Sequence, residues 1–132
     1  MAQERFPRGN EIRGVGFPIS KGREGYWPRR NAAALRQSSI IMILGTMPGE
    51  RVMLPEFGSN LPLLIFEPND VILVQTIREE VANSLQRWDA NIVVAGVAPE
   101  IQDDTMKVFI DYYDKRDLDQ ELRRTTFSLK RQ

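Results

Sequence analysis

The chain has 132 residues, 18 basic and 18 acidic side chains, and neither histidine nor cysteine. Zero formal charge removes the simplest electrostatic argument for nucleic-acid or membrane binding, since both favour a basic excess. Without imidazole or thiol, the chain cannot supply a Ser-His-Asp triad, a cysteine nucleophile, a Cys/His zinc site or a disulfide. Its chemistry must rest on carboxylates, hydroxyls, Lys or Tyr.

A chain of this size buries about two thirds of its surface on folding, which suits one domain over residues 1–132. Within it we expect an extended arm over 1–30, a helical and sheet body over 31–113, and a linker and strand over 114–132. Residues 1–8 lack the apolar centre of a signal peptide, and the longest strongly apolar run, 40–44, is too short to span a bilayer. The expectation is a soluble protein folded in a cytoplasm, without direct membrane insertion.

In chain order, the first thirty residues are punctuated by Gly9, Gly14, Gly16, Gly22, Gly25, Pro7, Pro18 and Pro28. They leave room for one short edge strand over 12–19. Tyr26 and Trp27 lie among arginines, either as a stacking surface or as anchors of a loop. Asn31 then reads as the N-cap of a helix over 31–44, with Gly45 as its left-handed stop. Residues 40–44 are apolar on nearly all sides and should be buried. A Gly/Pro-rich connection over 45–68 follows, unusually long for a compact domain. Its apolar residues call for pinning to the core and a short helix near 59–66. Val74, Ile77, Val81, Leu85 and Trp88 form one stripe of a helix over 70–88, capped by Asn69 or Asp70. The remainder reads as sheet, with a buried run over 92–97 and a turn over 98–104. Met106, Val108, Ile110 and Tyr112 then alternate with polar or aromatic neighbours. The last strand comprises Thr125, Thr126, Phe127, Ser128, Leu129 and Lys130, flanked by Arg123, Arg124 and Arg131. The fold class is α+β, two main helices on a small antiparallel sheet with a C-terminal edge strand. Such an edge offers unpaired backbone groups to another chain. Residues 123–132 are expected to be dispensable for folding.

The zero charge is unevenly spread. Residues 1–38 carry net +5, residues 39–114 net −8, and residues 115–132 net +3. Either this is chance segregation on a solvated surface, or the ends and the middle meet different charged partners. Glycoside hydrolysis needs only two carboxylates. Glu50, Glu56, Glu67 and Asp70 lie in or beside the long connection and keep a peptidoglycan-cleaving alternative open. No calcium-loop spacing appears, and no cofactor is implied. Arg51 could instead fix its turn by clamping carbonyls or a carboxylate, as Glu50 stands beside it. Glu67-Pro68 could form a helix-entry device. A nucleic-acid reading through the basic N-terminus, Tyr26 and Trp27 is opposed by the acidic middle, and no nucleic-acid partner is assigned.

The connection carries a recognisable pattern. Leu44-Gly45-Thr46-Met47-Pro48-Gly49-Glu50-Arg51, Pro55-Glu56-Phe57-Gly58-Ser59 and Phe66-Glu67-Pro68 closely resemble the baseplate wedge family of contractile phage tails. Members also serve in type VI secretion systems, tailocins and extracellular contractile injection systems. Gly14-Val15-Gly16-Phe17-Pro18 and Gln37-Ser38-Ser39-Ile40 resemble its entry motif and first helix, so the resemblance runs from about 14 to 113. It implies a structural, non-enzymatic part of a six-fold baseplate, assembled in the bacterial cytoplasm among other wedge subunits. The C-terminal strand would then meet the first sheath ring and template the sheath protein by strand addition. Some members carry a lysozyme-like label, read here as nomenclature. The family's usual Glu-Pro-Arg after the tryptophan is replaced by Asp89-Ala90-Asn91. The resemblance therefore carries the wedge-docking role to Trp88, Asp89 and Asn91 with an altered contact, because Asn offers no guanidinium fork.

Overall fold

The computed structural model describes residues 14–22, 27–116 and 120–131. The chain divides into two units, residues 1–39 and 40–132.

In the first unit, β1 (Gly14–Val15) pairs antiparallel with β2 (Arg29–Arg30), Gly14 opposite Arg30 and Val15 opposite Arg29. The strand expected over 12–19 is thus two residues long among those described, and residues 12–13 lie outside them. α1 (Ala32–Gly45) starts as expected at Asn31, whose Oδ1 accepts from the Ala34 N–H at 3.0 Å. One turn later, Ser38 Oγ accepts from the Phe17 N–H at 3.0 Å. It also lies 3.0 Å from Phe17 O and 2.9 Å from Ala34 O, one of which takes its proton. That close approach leaves no room at Gly16, where a Cβ would collide with the Arg30 side chain and lie 3.1 Å from Ser38 Oγ. Trp27 is 66% exposed. Tyr26 lies outside the described residues.

In the second unit the core is one apolar cluster. Ile40, Ile43 and Leu44 from α1, Leu61 from α2 (Leu61–Leu64), and Leu73, Ile77, Val81 and Leu85 from α3 (Val71–Trp88) meet the inner side of a three-stranded sheet. Met42 is exposed, so the burial expected of 40–44 is confined to one side of the helix. Gly45 is the last helical residue and does not take the left-handed conformation expected of it. The helix end is satisfied by side chains instead: Thr46 Oγ1 donates to Met42 O at 2.6 Å, and Ser59 Oγ donates to Leu44 O at 3.1 Å. The short helix near 59–66 is reduced to the single turn of α2. α3 is capped by Asp70, whose Oδ1 accepts from the Leu73 N–H at 2.8 Å. Pro68 therefore stands outside the first turn, and the acid at the helix start is Asp70 rather than Glu67.

The sheet is a meander of β3 (Ile92–Gln102), β4 (Thr105–Asp114) and β5 (Arg123–Lys130), antiparallel throughout and ordered β3-β4-β5. β3 outruns its expected end: residues 98–102 are strand, and only Asp103 and Asp104 turn. Asp103 sits at φ 49°, a left-handed conformation that Asp tolerates better than most residues. The strand stays amphipathic because of a bulge between Val94 and Gly96. Val94 lies opposite Tyr112 and Val97 opposite Ile110. The extra residue switches the inward set from even to odd positions, so both halves of β3 face the same core.

β4 follows the expected alternation, with Met106, Val108, Ile110 and Tyr112 buried. β5 pairs with it residue for residue from Arg123 opposite Tyr112 to Lys130 opposite Thr105. Thr125 and Phe127 are buried, and the Phe127 ring approaches to 3.6 Å of where a Cβ on Gly45 would stand. Removing β5 would unpair the edge of β4 and take Thr125 and Phe127 out of the core, so the structure speaks against residues 123–131 being dispensable for folding. Phe127→Ala is expected to cost about 3–5 kcal/mol in urea unfolding. Thr125 Oγ1 is buried without a hydrogen-bond partner among the described residues. Thr125→Val is expected to raise stability by about 1 kcal/mol in the same experiment.

Candidate assembly surfaces

The open side of β5 follows from its register. The Arg131 N–H donates to Asp104 O at 2.6 Å. In an antiparallel ladder the backbone groups of successive residues point to opposite sides. With the register unshifted between β4 and β5, Arg123, Thr125, Phe127 and Leu129 aim their backbone groups at β4. Arg124, Thr126, Ser128 and Lys130 aim theirs away, and among the described residues no strand pairs with that side. The side chains of these four are exposed.

Arg124 is also tied across the outer face of the sheet. Its Nε and Nη2 donate to the two carboxylate oxygens of Asp111 at 2.6 and 2.9 Å. This fork holds the Asp111 carboxyl below the usual carboxylate range, chiefly through the side-chain hydrogen bond, with burial opposing it and a Coulombic attraction helping. Arg123 lies 3.8 Å from Glu121.

A second surface forms where the long connection meets the end of α3. The connection closes on itself: the Ser59 N–H donates to Thr46 O at 2.9 Å, and the Gly49 N–H to Pro55 O at 2.7 Å. Gly58 adopts φ +116°, and a Cβ there would strike the Thr46 carbonyl. Glu50 Oε2 accepts from the Met47 N–H at 2.8 Å, so this acid fixes its turn. Among the described residues Arg51 clamps no carbonyl or carboxylate. Its guanidinium lies 4.6 Å above the Phe57 ring, where a flat cation meets a negative π face. Phe57 and Trp88 stack with centroids 5.2 Å apart and a 58° tilt. The Arg87 guanidinium caps Trp88 at 4.9 Å and donates to Glu56 at 2.7 Å. The sequence pointed to Arg51 and Trp88, and to Glu56 only as a candidate catalytic acid; Phe57 and Arg87 were signalled by no more than their places within the quoted motif and beside the tryptophan.

The turn after α3 holds Asp89 and Asn91 together. The buried Asp89 accepts from the Asn91 N–H at 3.1 Å. Asn91 Oδ1 in turn accepts from Arg116 Nε at 3.1 Å. Arg116, two residues past the end of β4, thus brings a guanidinium to a turn whose own sequence has none. Glu67 stands apart from this surface, on the wall of a cavity at the other end of the sheet.

The family described as baseplate wedge protein gp25 matches residues 32–119, more than half of the chain. The chain belongs to this family. Among solved structures, a Geobacter sulfurreducens protein described as a tail lysozyme is 24% identical, with a TM-score of 0.66 over 73% of this chain and 87% of that one. A chain of the anti-feeding prophage (AFP) baseplate is 18% identical, with a TM-score of 0.63 over 91% of this chain and 86% of that one. A chain of the postcontracted pyocin R2 baseplate is 24% identical, with a TM-score of 0.52 over 92% of this chain and all of that one. At these identities the likeness shows a shared fold. None of the curated proteins compared with the chain matched it. By its family membership the protein is a baseplate wedge protein. Among the described residues no helix is long and apolar enough to cross a membrane.

The Asp111–Arg124 fork predicts a pH dependence. A lowered carboxylate pKa stabilises the folded state above the unfolded value of about 4, and that contribution is lost as pH falls through the folded value. Arg124→Ala is expected to return Asp111 upward to the ordinary carboxylate range, read from its side-chain carboxyl carbon shift against pH. An unchanged titration would show that the fork does not form in solution.

Proposed function

We propose that this wedge protein is a structural, non-enzymatic part that offers the open edge of β5 to the sheath protein and so templates the first sheath ring. The observation that carries the reading is the pre-ordered edge: Arg124, Thr126, Ser128 and Lys130 present backbone donors and acceptors outward while Thr125 and Phe127 hold the strand in the core. A partner strand added there gains main-chain hydrogen bonds without first ordering the edge. Six copies around a ring multiply a weak contact into a strong one. The Trp88 stack and the turn carrying Asp89, Asn91 and Arg116 are the proposed contacts with neighbouring wedge subunits. Assembly takes place in the bacterial cytoplasm, and the finished part sits in the baseplate of the particle.

The peptidoglycan-cleaving alternative draws on one neighbour's description as a tail lysozyme. Three of the four carboxylates it would draw on are engaged: Glu50 holds Met47, Glu56 pairs with Arg87, and Asp70 caps α3. All are exposed, as is Glu67, whereas a general acid needs an environment that favours its protonated form. These facts support a non-enzymatic role.

Proline is tolerated on an edge strand where its missing N–H faces solvent. Ser128→Pro is therefore expected to fold with a loss of no more than about 1 kcal/mol while stopping sheath growth, seen by electron microscopy as baseplates without sheath. Thr126→Pro provides the same block at a second position. Normal sheaths on both variants would exclude strand addition at this edge.

A further inference from the structure

A cavity of about 300 Å³ lies at the hairpin end of the sheet, between the segment before α3, the β3–β4 turn and the end of β5. Its walls include the apolar side chains of Phe66, Leu73, Ile101 and Met106. That volume suits one long side chain or a small ligand. Three carboxylates, Glu67, Asp103 and Asp104, share the lining with a single cation, Arg131. Among the described residues none of the three is in an ion pair.

Two further facts set the chemistry of an occupant. The Arg131 guanidinium lies 5.8 Å from the Phe66 ring centroid, so a cation of the chain itself already rests against the aromatic wall. Among the described residues no carboxylate group is arranged to hold a metal ion. An organic cation with an apolar stem matches both the wall and the net negative lining. Position supplies the source. Lys130 ends β5 and Arg131 is a wall residue, so a strand laid along the open edge of β5 terminates beside the cavity.

We propose that this cavity receives a lysine or arginine side chain from the segment that adds to β5, with its stem against Phe66 and Ile101 and its charge toward Asp103 and Asp104. The identity of the partner segment rests on the strand-addition reading above; the cation preference of the cavity does not. Arg131 acts as the resident competitor, displaced when the partner's side chain enters.

The test uses the full isotope-labelled chain titrated with butylguanidinium chloride and followed by amide chemical shifts. Saturable shifts at residues 66, 67 and 103–105 are expected. The double variant Asp103→Asn, Asp104→Asn is expected to weaken binding by about five-fold, in line with partly exposed charge pairs. Arg131→Ala is expected to tighten binding, because it removes the competing cation and keeps the backbone bond to Asp104. No saturable shift, or equal shifts with uncharged 1-pentanol, would overturn the cavity proposal and leave strand addition untouched. Conversely, saturable binding together with normal sheaths on Ser128→Pro and Thr126→Pro would uphold the cation site while removing its link to β5.

Discussion

Alternation along β5 divides one strand between two tasks. Its odd-numbered side chains, Thr125 and Phe127 above all, complete the core against β4 and the end of α1. Its even-numbered residues turn their backbone groups to the open edge. A period of two makes this division unavoidable once the register is fixed. The edge is therefore held rigid by the same burial that stabilises the fold. A disordered tail could pair with a partner strand too, but it would lose conformational entropy of about 1–2 kcal/mol per residue ordered. That difference favours a folded strand wherever many copies must engage in register.

The long connection solves a related problem without regular structure. A segment that forms no ladder must satisfy its backbone polar groups locally. Here the Thr46–Ser59 bond closes the loop, Gly58 allows the chains to touch, and Glu50 takes the Met47 N–H. The stack from Arg51 through Phe57 and Trp88 to Arg87 and Glu56 then ties the loop to α3. Val52 and Met53, at its tip, are left almost wholly in solvent. Their exposure corrects the expectation that the apolar residues of this connection are pinned to the core: the pinning is confined to the base and sides of the loop.

Much of the architecture was legible because its signals are periodic. The stripe of α3 and the alternation of β4 each repeat over several turns or residue pairs, and Asn31 and Asp70 cap as their chemistry suggests. The failures are local and share a reason. Gly45 looked like a left-handed stop, yet Thr46 and Ser59 side chains satisfied the helix end and left its backbone helical. Residues 98–102 looked like a turn because a bulge near Gly96 shifts the inward set by one residue, which breaks the pattern that alternation relies on. For the site, the identity of the terminal strand was readable, but which of its backbone groups face outward was not, since that depends on pairing with β4. Arg51 was read from its ordinary preference for oxygen partners, whereas the fold offered it a ring.

The charge segregation also changes meaning once the partners are visible. A basic C-terminal block against an acidic body looked like ends reaching for outside partners. Arg124 instead pairs with Asp111 of the chain's own acidic stretch. Part of the segregation is therefore consumed in closing the sheet on itself. A more localised imbalance also stands out: Glu67, Asp103 and Asp104 share the lining of one cavity with Arg131. Net charge over blocks of 18 or 76 residues could not have located that imbalance, because screening confines such fields to about 10 Å and only neighbours within that range matter. Electrostatics in this protein acts residue by residue, and the surplus that a partner can use lies at the end of the strand to which that partner is proposed to add.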